Sequence, residues 1–329
     1  MSGFWDGRRV LVTGHTGFKG AWLTLWLHAL GARVTGFSGP PPTAPSLFEL
    51  ARVAELCDDL RGDVRDADAV ARAAAGAEVV FHLAAQPIVR AALEDPAGTF
   101  STNVVGTAHV LGAARDAAVV CVTSDKCYAP GPGPHREGDP LGGGEPYAAS
   151  KAAQEHVAAS YREALGVRVA TARAGNVIGG GDWGRDRLLP DLVRASERGT
   201  PVTLRHPGAV RPWQHVLDPL AGYLRLAERL FESSGYAEAW NFGPDGAETV
   251  AWVVDQVRAR WPLTVDVSEG HAVEAPPLRL DASKARERLG WQPRLTLPEA
   301  LAATVFWHDE VRAGAPARTV TLTQIEEAT

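Results

Sequence analysis

A glycine-rich turn between a short apolar run and a helical segment most restricts how this chain can fold. The run RRVLVT ends at Thr13, the turn GHTGFKG spans residues 14–20, and AWLTLWLHAL follows with helical spacing. Glycines let a backbone turn sharply and approach a bound group closely at the start of a helix. The segment therefore predicts a strand, a glycine turn and a helix in direct succession.

Apolar runs and helical segments continue to alternate through the first half of the chain. The pattern predicts strands at 34–37, 78–84, 118–124 and 167–174 and a further short strand that ends at 62–63. It predicts helices at 46–56, 67–75, 99–114 and 147–165. Strands that alternate with helices form a parallel sheet with helices on both faces. We therefore predict an α/β fold with a Rossmann-type doubly wound parallel sheet.

The pattern changes after Gly175, where turn-rich segments such as GNVIGGGDWG and RHPGAVRPW predict a smaller C-terminal substrate lobe. We expect a dinucleotide-binding domain in residues 1–175, to which part of 213–242 returns, and a lobe formed mainly by 176–329. Ligands of doubly wound sheets bind beyond the carboxyl ends of the strands, so this lobe would close a cleft there. The polar tail after Ala313 is expected to be frayed.

Composition excludes several classes of protein. Hydrophobic residues make up 45% and charged residues 22%, as in ordinary globular proteins. No apolar run approaches the roughly 18–20 residues of a membrane span, and no signal peptide opens the chain, so we expect a cytoplasmic protein without a membrane partner. Three cysteines without metal-ligand spacing argue against a disulfide framework or a metal site. A net charge of −6 without a basic patch argues against nucleic acid.

The glycine turn predicts a dinucleotide site, although a plain glycine-rich turn is the alternative. A pyrophosphate would lie at the helix N-terminus against Gly14, Thr16, Gly17, Phe18, Lys19 and Gly20. The second strand ends Phe37-Ser38-Gly39, with neither the acid that binds ribose hydroxyls nor an arginine for a 2′-phosphate. The choice of NAD over NADP therefore rests on other grounds. Asp63 and Val64 are candidate adenine contacts, and Asp63 is alternatively a helix cap.

Tyr147 and Lys151 form a YxxxK pair on one face of the predicted helix at 147–165. A nearby ammonium, reinforced by a cationic nicotinamide, would favour the phenolate over the phenol. Only four of the 33 Lys and Arg residues are lysine, which indicates that lysine is kept where a movable pKa matters. Ser124, at the end of the fifth strand, could hydrogen-bond the same substrate hydroxyl.

Several motifs occur in the order typical of one enzyme family. They are HLAAQ at 82–86, TNVVGT at 102–107, the YxxxK pair, RPWQHVLD at 211–218 and LDASK at 280–284. With them the chain resembles the extended short-chain dehydrogenase/reductase family over nearly its whole length. The resemblance implies NAD as cofactor, a nucleotide-sugar substrate and a homodimer formed through the helices near Thr102 and Tyr147. It adds to the cofactor contacts Leu83, Ala84, Ala85, Gln86 and Asn103.

The segment TSDKCY at 123–128 separates branches of this family. Simple epimerases need only the tyrosine and the lysine, whereas nucleotide-sugar 4,6-dehydratases place an acid and a base after the Ser/Thr of this strand. Asp125 and Lys126 stand there. Together with GHTGFKG, RAGNVIGGGDW and RPWQHV, the segment is similar to the branch that dehydrates CDP-glucose. A Lys126 that only forms an ion pair, a nucleotide-sugar 4-epimerase and a non-catalytic dinucleotide-binding sensor are the alternatives.

The resemblance implies a closed hydride cycle. Tyr147 would remove the C4 hydroxyl proton while hydride passes to NAD, which makes the C5 proton acidic. Lys126, neutral if Lys151 and the oxidised cofactor depress its pKa, would take that proton, and Asp125 would protonate the C6 hydroxyl as it leaves. The hydride then returns to C6, which favours NAD over a consumed reductant. Asn176, Arg187, Arg211 and Gln86 are the candidate substrate contacts.

Overall fold

The computed structural model describes residues 3–267 and 278–329. Its strands are β1 Arg9–Thr13, β2 Arg33–Ser38, β3 Asp58–Arg61, β4 Val79–His82, β5 Ala118–Val122, β6 Val169–Ala174, β7 Val177–Ile178, β8 Val202–Leu204, β9 Val210–Arg211, β10 Gln214–His215, β11 Ala239–Phe242, β12 Glu248–Thr249 and β13 Val265–Val267. Most strands are short, as expected where each is followed by a helix or a turn.

Seven of these strands form one parallel sheet in the order β11-β6-β5-β4-β1-β2-β3. β4, β5 and β6 are buried along their whole length, which suits the apolar runs that predicted them. The strand order changes direction between β1 and β4, so the carboxyl ends of these two strands open a crevice. The predicted doubly wound α/β sheet is confirmed.

The helices are α1 Phe18–Ala29, α2 Leu47–Leu50, α3 Ala67–Ala74, α4 Val89–Glu94, α5 Pro96–Phe100, α6 Gly106–Ala113, α7 Pro146–Leu165, α8 Leu188–Arg198, α9 Leu217–Glu232, α10 Val250–Arg258, α11 Ser283–Leu289, α12 Leu297–Arg312 and α13 Ala317–Glu327. The predicted helix at 46–56 is instead α2 and a 3-10 turn, separated at Arg52, whose φ is 52°. A π-helical turn at Ser101–Val105 joins α5 to α6. Within residues 3–267 and 278–329, no helix is long and apolar enough to cross a membrane.

Two apolar layers enclose the sheet. Val10 and Val12 of β1 face a cluster that includes α1 and α9, while Leu11 faces a cluster that includes α3, α6 and α7. Alternate side chains of a strand point to opposite faces, so one short strand serves both layers. A third cluster, centred on α8, α10 and α12, supports the smaller C-terminal part of the chain. β11 pairs with β6 and so extends the main sheet.

The expectation of a frayed tail after Ala313 is wrong. Residues 317–327 form α13, whose Val320, Thr321 and Ile325 are buried. Trp307 Nε1 of α12 donates a hydrogen bond to Thr321 Oγ1 at 2.9 Å. The polar composition of the tail misled the prediction, because polar residues such as Thr321 and Gln324 are buried against the core together with Val320 and Ile325.

Candidate active site

A cavity of about 1040 Å³ lies at the carboxyl ends of the central strands and extends toward the C-terminal part of the chain. Most of the predicted site residues line it. They are Gly14, Thr16, Gly17, Phe18, Lys19, Gly20, Asp63, Val64, Leu83, Ala84, Ala85, Ser124, Asp125, Lys126, Tyr147, Lys151, Asn176 and Arg187. The fold therefore brings together segments that are far apart in the sequence.

Three predicted site residues do not line this cavity: Gln86, Asn103 and Arg211. Asn103 is fully buried, and its amide exchanges two hydrogen bonds with the backbone of Gln86, at 2.8 and 3.1 Å. Arg211 Nη1 donates to the carbonyl of Val210 at 2.8 Å. Gln86 and Asn103 thus brace the loop after β4, and direct ligand contacts by these three residues stay predictions.

The glycine turn fits a dinucleotide. Gly14 has a φ of +77°, and a Cβ there would lie 2.8 Å from the backbone nitrogen of Ala84. A Cβ at Gly20 would collide with the carbonyl of Gly14. The turn is therefore closed to larger side chains, and Gly17 precedes the first residue of α1, where backbone N–H groups face the cavity. Lys19 lies in the same wall, where burial, followed by the charges of Arg187 and Lys151, lowers its pKa to about 7.

Tyr147 and Lys151 both face the cavity from the start of α7 and are buried. Burial raises the pKa of Tyr147 to about 12, against the opposing effects of the Ser124 hydroxyl and the Arg187 charge. Burial also lowers the pKa of Lys151 to about 8. Lys151 Nζ donates to Gln154 Oε1 at 2.9 Å, and its support of a Tyr147 phenolate beside a bound nicotinamide stays a prediction.

Ser124, Asp125 and Lys126 form the start of a 3-10 turn after β5. Ser124 Oγ donates to Asp125 Oδ1 at 2.9 Å and accepts from the backbone N–H of Lys126 at 3.2 Å. Burial raises the pKa of Asp125, which favours its protonated form. Lys126 Nζ lies 5.8 Å from the ring centre of Tyr147. An acid, an amine and a phenol therefore share one end of the cavity.

The other end of the cavity lies against the ends of β2 and β3. Contacts of Arg61 and Asp63 there differ from two of the predictions. Arg61 Nη1 donates to the carbonyl of Gly39 at 3.1 Å, so an arginine does reach the end of β2. This contact is not evident from the sequence, because Arg61 belongs to the neighbouring strand β3. Asp63 is not the cap of α3, since Asp66 caps that helix by accepting from Ala69 N. The Asp63 carboxylate instead accepts hydrogen bonds from the Arg65 guanidinium, which lowers the pKa of Asp63.

Sequence reasoning missed a charged cluster in the wall of the cavity. Asp186, at a φ of +57°, lies 3.4 Å from Arg90 and 3.8 Å from Arg205. Asp182 pairs with the predicted substrate ligand Arg187 at 3.2 Å. Cationic side chains so placed suit a diphosphate. No sequence signal singled out Arg90 and Arg205 in a chain so rich in arginine.

Comparisons with known proteins agree with this geometry. Residues 10–243 match the NAD dependent epimerase/dehydratase family. The chain is 47% identical to a CDP-glucose 4,6-dehydratase of Salmonella typhimurium strain LT2, covering 93% of this chain and 91% of the relative. It is 31% identical to a UDP-glucose 4-epimerase of Mycolicibacterium smegmatis, over 90% and 97% of the two chains.

A solved structure shares the architecture as well. It is a double mutant of DesIV, a dTDP-glucose 4,6-dehydratase from Streptomyces venezuelae, with NAD and DAU bound. Its TM-score to this chain is 0.79 at 26% identity, and the match covers 94% of this chain and 99% of that one. The fold, the cavity and these matches lead to one family. The chain belongs to the NAD dependent epimerase/dehydratase family of extended short-chain dehydrogenases/reductases, and its cofactor is NAD.

Proposed function

We propose that the protein is a hydro-lyase that converts CDP-glucose to CDP-4-keto-6-deoxyglucose and water. The observation that carries the proposal is the grouping of Asp125, Lys126 and Tyr147 at one end of a single cavity. The relative from Salmonella typhimurium supports both the reaction and the nucleotide. A 4-epimerase would leave Asp125 and Lys126 without a role.

Each of the three side chains has one proton to move. Tyr147 takes the proton of the C4 hydroxyl. Lys126 takes the C5 proton and gives it back to C5 when hydride reaches C6, and Asp125 gives a proton to the C6 hydroxyl, which leaves as water. NAD, held by the glycine turn of residues 14–20, would supply reversible hydride chemistry between C4 and C6, so the cofactor would be unchanged over a turnover. The raised pKa of Asp125 suits a group that must arrive protonated.

The raised pKa of Tyr147 limits when it can act as a base. At about 12, its phenol keeps its proton in the unliganded protein. A positive charge brought beside the ring lowers the pKa of a phenol. We infer that Tyr147 becomes a base only once the nicotinamide cation lies in the cavity, which ties proton removal to the presence of the oxidant.

The substrate occupies the part of the cavity that the C-terminal lobe borders. In this proposal, residues 1–175 with part of 213–242 bind the dinucleotide and the rest of 176–329 binds the nucleotide-sugar. Arg187 and Asn176 contact the diphosphate from the cavity wall. Arg211, whose charge acts on the carboxyl of Asp125, and Gln86 are further candidate substrate contacts in this proposal.

Product analysis tests the proposal. The purified protein is incubated with NAD and, separately, with the CDP-, UDP-, dTDP- and GDP-activated glucoses. A 4-keto-6-deoxy sugar formed fastest from CDP-glucose supports the dehydratase, and a C4 epimer supports the epimerase. Binding of NAD without turnover of any of the four sugars would establish the dinucleotide-binding sensor instead.

We further propose that the protein is a cytoplasmic homodimer. Phe100 of α5 and Val105 of the π-helical turn that follows it expose apolar surface next to α7. All three cysteines are free, as in reducing compartments. Light scattering tests the dimer: the native protein should show twice the chain mass, and Phe100→Asp should show the mass of one chain. A native protein with the mass of one chain would refute it.

A further inference from the structure

The ends of β2 and β3 form the part of the cavity where the adenosine of a dinucleotide binds in this fold. Ser38, the last residue of β2, is paired in register with Arg61, the last residue of β3. Ser38 and Gly39 line the cavity. Arg61 of the neighbouring strand stands beside these two lining residues, since its Nη1 bonds the Gly39 carbonyl at 3.1 Å.

In Rossmann folds that select NAD, an acid at the end of β2 binds the ribose hydroxyls. Among the nearby residues that the structure describes, none offers a free carboxylate for this role. Ser38 Oγ is hydrogen-bonded to Thr16 Oγ1 at 2.8 Å. The carboxylate of Asp59 uses one oxygen for His15 Nε2, at 2.7 Å, and the other for Arg61 Nη2, at 2.8 Å. An acid at the ribose rejects a 2′-phosphate by charge repulsion, and without one this rejection is lost.

The guanidinium of Arg61 is held in place at this position. It bonds Asp59 through Nε and Nη2 and the Gly39 carbonyl through Nη1, and it lies 4.7 Å from the ring centre of Phe48. A guanidinium has five N–H groups, so one on each Nη remains for a further acceptor. Such a fixed, planar fork suits the oxygens of a phosphate group.

We propose that the adenosine subsite also accepts a 2′-phosphate, with Arg61 as its ligand, so that NADP as well as NAD binds. The inference extends the cofactor part of the proposed function. Because a closed hydride cycle returns its electrons within each turnover, either dinucleotide serves. The proposal concerns binding of the adenosine end and does not depend on which sugar is the substrate.

Binding of adenosine fragments tests the subsite without any turnover. Isothermal titration compares adenosine 2′,5′-bisphosphate with 5′-ADP on the native protein, on Arg61→Gln and on Arg33→Gln. Arg33 is an exposed arginine at the opposite end of β2 and serves as the matched control. We expect Arg61→Gln to weaken the 2′-phosphorylated fragment about tenfold or more and 5′-ADP about twofold at most. Arg33→Gln should bind both fragments as the native protein does.

A second variant introduces an acid beside the ribose site and so tests whether its absence permits NADP to bind. A Cβ at Gly39 would meet no atom within 4 Å, so Gly39→Asp should fold normally. We expect this variant to bind NADP at least about tenfold more weakly than the native protein and to retain NAD. Native protein that binds NADP more than about a hundredfold more weakly than NAD would overturn the proposal. Equal weakening of both fragments in Arg61→Gln would overturn it as well.

Discussion

Lys151 Nζ donates a hydrogen bond to Gln154 Oε1 at 2.9 Å, one turn further along α7. Gln154 Nε2 in turn donates to Thr107 Oγ1 at 2.9 Å, and Thr107 donates its only hydroxyl proton to the Asn103 carbonyl. Because that proton is used, Gln154 must turn its NH₂ group to Thr107 and its oxygen to Lys151. A buried amide of fixed orientation therefore holds the ammonium.

The same hydroxyl fixes the tautomer of His82. Thr107 Oγ1 lies 2.9 Å from His82 Nε2, so this nitrogen must donate, and Nδ1 accepts from Thr13 Oγ1 at 2.7 Å. Burial lowers the pKa of His82 to about 3, which keeps the ring neutral. One hydrogen-bonded chain thus joins the ends of β1 and β4 to Lys151.

Substitution of Gln154 should change the pH profile of the reaction. Lys151 loses its charge as the pH rises through about 8, so its support of the phenolate falls above that pH. Gln154→Leu removes an acceptor of the ammonium and should move the basic limb of kcat to lower pH. Gln154→Glu places a carboxylate beside it and should move the limb to higher pH. Gln324→Glu, a buried glutamine on α13, is the control, and unshifted limbs in both Gln154 variants would contradict the assignment.

Loss of Lys126 should separate oxidation from elimination. Lys126→Met keeps Tyr147 and Lys151, so the near-ultraviolet absorbance of the reduced nicotinamide should still rise when CDP-glucose is added. Exchange of the C5 hydrogen with deuterated water should fall about 10²- to 10⁴-fold, because the base is gone. Lys284→Met is the control, since Lys284 pairs with Glu238 outside the cavity. Native rates of exchange in Lys126→Met would refute its role as the base.

The ion pair of Glu155 and Arg173 should contribute strongly to stability when only one partner is removed. Both side chains are buried and their atoms lie 2.7 Å apart. Arg173→Met leaves a buried, unpaired carboxylate and should lower the free energy of unfolding by about 3–5 kcal/mol. The double variant Glu155→Leu/Arg173→Met should recover at least about half of this loss. Urea unfolding measures both, and a double variant no more stable than the single one would contradict the explanation.

Asp218 should make stability fall with rising pH. Burial raises its pKa to about 6 from 3.8, so the folded state holds the proton more tightly than the unfolded state. Stability present below about pH 4 is therefore lost as the pH rises through 6, by about 3 kcal/mol. Asp218→Asn cannot titrate, so the difference in free energy of unfolding between the two proteins should change by that amount. A difference that is constant with pH would exclude the effect.

The sequence by itself determined the alternation of strands and helices, the glycine turn and the Tyr147-Lys151 pair. These follow from local rules: strand and helix periods, the need for glycine where the backbone turns sharply, and the i, i+4 spacing of a helix face. Asp125 and Lys126 were found differently, through the resemblance to nucleotide-sugar 4,6-dehydratases, which place an acid and a base after the Ser/Thr of this strand. The polar tail was misread because its helix is stabilised by contacts with distant α1 and α12.

Only the tertiary structure decided which distant groups share an environment. Arg61 reaches Gly39 because β2 and β3 pair in register. Gln154 turns its oxygen to Lys151 because Thr107 on α6 donates its only hydroxyl proton to the Asn103 carbonyl. The raised pKa of Tyr147 likewise comes from burial by several segments at once. Desolvation and hydrogen-bond direction depend on all neighbours of a group in space, and a linear sequence does not record those neighbours.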